Sequence, residues 1–317
     1  MKTCDFLTGI GLLLLATVSW GGMFPAVKAM LAYMDPFYMT SIRYGITALL
    51  FLALLAGVEG IGMLRTGGRT LELWLFGTAG FAGFSLLVFS GLRYTSAENG
   101  AIITALMPLL AALTNWAARG LRPAPFTLAS IGLALAGVLL VVTHGSPAAL
   151  LHGAGALGDV LVLLGVFAWT VYTFGATRFS GWSPLRYTAL SCTLGTASVI
   201  AVTAALSFTG TAHLPSAAAL QATLPPMAYT IVFASVLGVL AWNAGVKRLG
   251  PVNGALFINF VPVTALIIGL AQGHVFGVFE LVGAGVTVLS LLANNLYLRA
   301  ASSGRRLAGG AEFRKPA

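Results

Sequence analysis

Charge is what this chain has least of. Asp, Glu, Lys and Arg make up 8% of its 317 residues, against roughly a quarter in a soluble domain. With mean hydropathy +0.94 such a chain cannot cover a water-facing surface, which excludes a soluble globular protein. Cysteine is as scarce: Cys4 and Cys192 stand far apart, beside or inside apolar runs. That excludes a disulfide framework and zinc-ligand spacing, and both are read as packing residues. No Asp or Glu falls at the middle of an apolar run, which disfavours a carboxylate-based proton relay. There is no H-E-x-x-H, no pair of aspartates and no Gly–x–Ser–x–Gly turn, so a membrane-embedded enzyme lacks its constellation. The net charge of +9 would suggest nucleic acid for a soluble fold. Without a basic stripe it is read as membrane topology instead.

What the chain has in abundance is apolar length. Ten runs approach the ~20 residues that a membrane crossing needs: 7–29, 37–57, 72–91, 98–118, 126–143, 158–179, 185–208, 226–246, 253–272 and 278–298. They are too long and continuous for transmembrane strands. The first run resembles a signal peptide, with Lys2 ahead of it. It continues to about Leu31, which is too long for an h-region, and is read as a retained span. Ten crossings put both ends on one side. Fourteen of the seventeen Lys and Arg then fall on that side, and the loops 144–157 and 209–225 carry none. The bias predicts that both termini are cytoplasmic. Lys28, Arg43 and Arg93 break the rule. The tail past Ala300 is expected to be disordered.

One frame occurs twice. Gly91–Pro108, GLRYTSAENGAIITALMP, and Gly245–Pro262, GVKRLGPVNGALFINFVP, share G-x-[RK]-x5-N-G-A-x6-P with every match offset by 154. It joins the third span to the fourth and the eighth to the ninth. Trp20 and Trp169, and Gly132 and Gly283, are weaker echoes. Five spans per copy force the second copy upside down, as in many secondary transporters. The inversion also accounts for Arg93, whose counterpart Lys247 obeys the charge rule. Asn99 and Asn253 are expected to cap the fourth and ninth helices, with Gly100 and Gly254 allowing close helix contact. Pro108 and Pro262 follow roughly 13 Å further along, near mid-membrane, where they are expected to kink the helices. The organisation predicted is an all-α integral membrane protein with ten transmembrane helices, two inverted five-helix repeats around a central cavity. The divisions are 1–143, an extracytoplasmic linker 144–157, 158–298 and a basic cytoplasmic tail 299–317.

These residues resemble the drug/metabolite transporter superfamily in its EamA-type, ten-helix branch, over essentially 7–298. SWGGMFPAVK at 19–28 is similar to the first-span signature and DPFYMTSIRYG at 35–45 to the second span. The stretches at 158–178 and 236–250 resemble the start and third span of the second copy. The resemblance implies a bundle enclosing a central cavity, alternating access and export of small metabolites. One departure stands out. The family often ends the fourth span of each repeat with Gly–Glu, whereas this chain has His274 in the second copy and no acid in the first. Mechanisms that use those carboxylates are therefore in doubt here.

Ionisable residues within spans are costly and so are candidates for function. Arg43 and Lys28 are either interfacial anchors, close enough to the outer surface to snorkel, or groups that orient a substrate carboxylate. Glu98, Asp159 and Glu280 are read as helix-start acids complementing the dipole. His144, His152, His213 and His274 are read as solvated. The cavity candidates are Trp20, Arg43, Tyr44, Phe84, Trp169, Tyr172, Phe257 and Asn259, with Trp242 as a further aromatic. Asn259 is preferred over Asn243, which lies nearer the cytoplasmic end. The expectation is a monomeric exporter in the bacterial inner membrane, moving amino acids, aromatic or other neutral ones foremost. It needs no cofactor or metal, and its partners are a small molecule and the lipid bilayer, not nucleic acid. A carrier of sugars or nucleotide sugars is the alternative, although nucleotide sugars would need several basic residues at depth.

Overall fold

The computed structural model describes residues 3–120, 122–143, 145, 154–249 and 257–312. Among them the regular elements are all helical. Apolar runs of this length satisfy their backbone groups internally only as helices when lipid replaces water. We number the helices α1 (Thr3–Met30), α2 (Pro36–Val58), α3 (Thr70–Gly91), α4 (Ala97–Thr104 with Met107–Arg119) and α5 (Pro125–Thr143). The second half continues with α6 (Ala154–Ala176), α7 (Pro184–Phe208), α8 (Ala217–Leu249), α9 (Phe260–Ala271) and α10 (Val278–Glu312). Among the described residues eight helices are long and apolar enough to cross a membrane, and two shorter apolar ones, Pro125–Val141 and Phe260–Ala271, lie in α5 and α9.

Three boundaries differ from expectation. α8 begins at Ala217, not near 226, and carries Pro225 and Pro226 inside it. Three threonines, Thr209, Thr211 and Thr223, surround this start, and Ser216 caps it by accepting from the Ala219 N–H. α10 runs on through Glu312 where a disordered tail was expected. The N-cap of α4 is Ser96, which accepts from the Asn99 N–H at 3.0 Å, while Asn99 donates its side-chain amide to Thr95. A hydroxyl three residues upstream thus does the capping expected of Asn99. Asn253, Gly254, His144 and His152 lie outside the described residues.

The helices pair across the two halves. α1 packs on α8 and α9, α6 packs on α3 and α4, α2 on α7, and α5 on α10. Adding five to each number and wrapping round leaves this pattern unchanged. Glycine sets the distance at these crossings. A Cβ built on Gly91 would stand 2.5 Å from the Gly158 carbonyl oxygen, and one on Gly158 2.7 Å from the Gly91 oxygen. In the second copy of the frame, Gly245 faces Leu13 and Gly9 across the α8–α1 crossing. The first glycine of the duplicated frame is therefore a helix-contact residue in both halves, as small residues are in membranes. Gly283 meets Gly137 across α5 and α10, whereas Gly132 has nothing near it.

Two irregularities recur in both halves. α3 and α8 each contain a π-helical stretch, Thr78–Gly83 and Thr230–Leu237. α4 breaks between Thr104 and Met107, and Ile258–Asn259 form a turn before Phe260. Pro108 and Pro262 then fall in the first turn of the helix that restarts, where a missing N–H costs little. The prolines follow an interruption rather than kinking a continuous helix. The ring of Pro108 excludes the carbonyl of Thr104 four residues back, where the preceding helix ends. Lipid-length helices with such exposed side chains as Leu49, Leu75, Phe208 and Ile267 supply the apolar outer surface.

Gly91→Val should lower stability by about 1–3 kcal/mol, the usual cost of overpacking, because Cβ meets backbone. Gly45→Ala, with nothing within 4 Å, should melt like the parent. Thermal melting in detergent followed by size-exclusion chromatography compares the two, and equal melting would remove the contact role from the frame.

Candidate functional site

The π-stretches and the helix breaks surround one central cavity of about 50 Å³. Its wall takes Trp20, Met23 and Phe24 from α1, Arg43, Tyr44, Thr47 and Phe51 from α2, and Phe81 and Phe84 from α3. Thr104 and Met107 flank the break in α4, Trp169 comes from α6, Ala234, Ser235 and Val239 from α8, and Ile258 and Val261 flank the turn before α9. Both halves contribute, and the irregular backbone lies where it faces a cavity, as membrane interiors require. π-segments are frequent at functional sites.

Among the described residues of that wall, Arg43 is the only ionisable side chain other than Tyr44. It is 3% exposed, so it does not snorkel. Its Nε–H donates to Ser235 Oγ at 3.1 Å. Ser235 in turn donates to the Thr230 carbonyl at 3.0 Å, a bond spanning five residues within the π-stretch. The π-turn thereby fixes the serine so that its lone pair faces the arginine. Nη2 approaches Met23 Sδ at 3.3 Å. The guanidinium carbon lies 4.9 Å from the Tyr44 ring centroid and 5.3 Å from that of Phe89, within cation–π range. Nη1 is buried with no hydrogen-bond partner. A charged group with an idle donor in an apolar wall is costly, and it suits a site that an anion completes.

Below this cavity an aromatic series runs from Phe81 and Phe84 to Trp169, on to Tyr172 and then Tyr187, with successive centroids 5.1–6.2 Å apart. Trp20 packs on Trp242 at 5.3 Å and donates its indole N–H to the Ala234 carbonyl at 2.9 Å, across the π-stretch. A second cavity of about 250 Å³ is lined by Tyr172, Phe179, Trp182, Tyr187, Trp242 and Asn243, and shares Trp20, Trp169 and Val239 with the first. Those three side chains partition the two spaces. At this end of the bundle Arg69 bonds Glu72 at 2.6 Å and the Arg178 carbonyl at 2.9 Å, and Ser183 bonds Glu59 at 2.7 Å.

At the opposite end lies a polar vestibule of about 710 Å³, lined by Lys28, Thr95, Glu98, Asn99, Asp159, His274 and Glu280 among others. Lys28 is not a simple anchor, for it donates to the carbonyls of Leu92 and Thr95 at 2.5 and 2.6 Å. It satisfies groups left open where α3 ends. Glu98 and Glu280 do lie in first turns, and Glu280 accepts from the Gly277 N–H at 2.7 Å. Asp159 departs from the helix-dipole reading. It lies beyond the first turn of α6, is 8% exposed, and accepts from Thr95 Oγ1 at 2.7 Å. His213 donates its backbone N–H to Asp35.

Of the residues singled out from sequence, Trp20, Arg43, Tyr44, Phe84 and Trp169 are brought together around the central cavity, and Tyr172 lines the adjoining one. Phe257 packs on Phe260, and Asn259 is buried at the N-cap of α9. Neither lines a described cavity, nor do Pro108, Pro262 or Gly100, and Gly100 instead faces Leu92 and Phe24. The neighbours Ile258, Val261 and Met107 take the wall positions. Sequence reasoning missed Ser235, Thr47 and Phe81. Their signal was weak: a hydroxyl one turn from Arg43 on the same helix, and a polar residue inside the third span of the second half.

An all-helical, membrane-length bundle with a shared cavity between two halves is the architecture of a membrane carrier. Residues 7–143 and 156–296 each match the model of the EamA-like transporter family, and the chain belongs to that family. Two relatives from Bacillus subtilis (strain 168) are named as uncharacterized transporters. YrdR is 34% identical over 94% of this chain and 94% of its own length, and YyaM is 31% identical over 88% and 90%. One solved crystal structure, 20% identical, superposes over 95% of this chain and 99% of its own with a TM-score of 0.64. That likeness concerns the fold alone.

In a background of Cys4→Ser and Cys192→Ala, Thr47→Cys and Ser235→Cys should react with methyl methanethiosulfonate. All three positions are buried, but Thr47 and Ser235 line the cavity and Asn259 does not. The expected rate is therefore at least roughly tenfold that of Asn259→Cys, which reacts only through opening of the packed helices. Mass spectrometry of the labelled protein gives the rates, and an equally reactive Asn259→Cys would redraw the cavity wall.

Proposed function

We propose that this transporter carries small carboxylate-bearing metabolites with an apolar or aromatic body, amino acids among them, outward across the bacterial inner membrane. The observation that carries the reading is Arg43: a buried guanidinium with one unpartnered nitrogen, set in a mainly apolar and aromatic wall whose other polar groups are the hydroxyls of Tyr44, Thr47, Thr104 and Ser235. A carboxylate there would gain a charge-assisted hydrogen bond in a low-dielectric site. The body of the substrate extends past Trp20 and Trp169 into the 250 Å³ space. Nucleotide sugars fit less well, since a diphosphate calls for several cations and Arg43 stands alone among the described wall residues.

The family match in two segments and the exchange-symmetric helix pairing support two inverted five-helix repeats with ten crossings. On that reading α5 and α9 cross as well, despite their shorter apolar lengths. The division at 143 and 158 and the cytoplasmic placement of both termini follow from the same repeat and the Lys/Arg bias. Transport proceeds by rocking of the halves: the partition of Trp20, Trp169 and Val239 opens on one side, and the vestibule near Lys28 on the other. The working unit is a monomer, because both halves of the cavity come from one chain.

Arg43→Gln should raise the KM for a transported carboxylate roughly ten- to hundredfold, matching the loss of one charged hydrogen bond of about 1.5–3 kcal/mol. Counterflow into proteoliposomes across a panel of amino and organic acids measures this. Absence of saturable flux for every member would sink the reading.

A further inference from the structure

We infer that the central site prefers organic monoanions, an aryl or branched-alkyl body with one carboxylate and no ammonium, over zwitterionic amino acids. The inference rests on the reading of this cavity as the substrate site and narrows its substrate class.

The argument is one of charge balance in a dry site. Arg43 places one positive charge in a wall with no Asp or Glu among its described residues. A bound monoanion brings the cavity to neutrality. A zwitterion leaves it at +1, with a second cation held close to the guanidinium by the covalent geometry of the amino acid. In low dielectric that arrangement is penalised twice, by desolvation of the ammonium and by repulsion from Arg43.

The wall offers the ammonium little in return. Its three aliphatic hydroxyls are already donating to backbone carbonyls: Thr47 to Arg43 at 2.8 Å, Thr104 to Gly100 at 2.8 Å and Ser235 to Thr230 at 3.0 Å. Ser235 also accepts from Arg43. The hydroxyl oxygens that remain are neutral acceptors and carry no compensating charge. Tyr44 and Phe89 already receive the Arg43 guanidinium. The other rings of the wall, Trp20 and Trp169 foremost, offer an ammonium a cation–π contact but no negative charge to offset its desolvation. The carboxylates of Glu98, Asp159 and Glu280 line the vestibule, whose wall shares no residue with the central cavity. They are placed to meet a substrate on its way out, not while Arg43 holds it.

A matched series with one skeleton tests this: 3-phenylpropionate, phenylalanine and phenethylamine, titrated against the purified full-length protein in detergent at neutral pH. Tryptophan fluorescence reports binding, because Trp20 and Trp169 line the site. The expected result is at least tenfold tighter binding of 3-phenylpropionate than of phenylalanine, and none of phenethylamine. Arg43→Gln should abolish the preference and Arg43→Lys should keep the order. Phenylalanine binding as tightly as 3-phenylpropionate, with both lost in Arg43→Gln, overturns the inference and leaves the carboxylate site standing. Absence of Arg43-dependent binding of either acid removes the site itself, and the inference with it. If Arg43→Gln does not fold, the ratio for the unmodified protein decides, with Ser235→Ala, which frees the guanidinium Nε, expected to weaken both acids alike.

Discussion

A guanidinium buried in the middle of an apolar bundle constrains everything near it. Arg43 is held by one serine, one sulfur and two ring faces, and those contacts leave part of its charge uncompensated. The serine lies in the π-turn of α8, where its hydroxyl donates to the Thr230 carbonyl five residues back while its oxygen accepts from Arg43. Trp20 bonds the Ala234 carbonyl in the same stretch. The cavity, the π-turn and the arginine thus meet at one level of the bundle.

That arrangement survives in lipid because the helices around it are locked by close backbone contact. Between helices in a membrane there is little hydrophobic drive, so van der Waals contact must supply the association. Gly91 against Gly158, and Gly245 against Gly9 and Leu13, bring α3 to α6 and α8 to α1. Of these four helices, α3 and α8 also carry the π-turns. The aromatic series from Phe81 to Tyr187 then lies beside the cavity, and Trp20, Trp169 and Val239 line both the cavity and the adjoining space.

Much of this was legible in the residues. Most of the apolar runs matched helices to within a few positions, because nothing but a helix satisfies a backbone over such a length in lipid. However, α8 starts well before its run and α10 extends well past its own. Arg43 stood out as an ionisable residue within a span and Trp169 by its place in the first helix of the second half. Arg43 was expected near the outer surface, but it is buried in the cavity wall. Capping was legible only in kind: a polar residue before α4 was expected, but Ser96 rather than Asn99 accepts the bond. Asp159 looked like an ordinary helix-start acid, whereas it is buried and accepts from Thr95 in the connection between α3 and α4. The loop expected over 209–225 is partly helix, for α8 starts at Ala217 and runs through Pro225 and Pro226.

The duplicated frame shows where the division falls. By itself the sequence determined the helices, the repetition of a glycine, an asparagine–glycine pair and a proline at a fixed offset, and the rarity of charge at depth. Each follows from local chemistry: hydrocarbon excludes open backbone, glycine alone lacks a side chain, and proline lacks an N–H. What those features do was decided by contacts between residues far apart in the chain. The glycine meets Gly158, the proline restarts a broken helix beside the cavity, and Arg43 finds Ser235 almost two hundred residues away. No spacing rule encodes such meetings, because they depend on how whole helices cross, and that depends on every packed side chain between them.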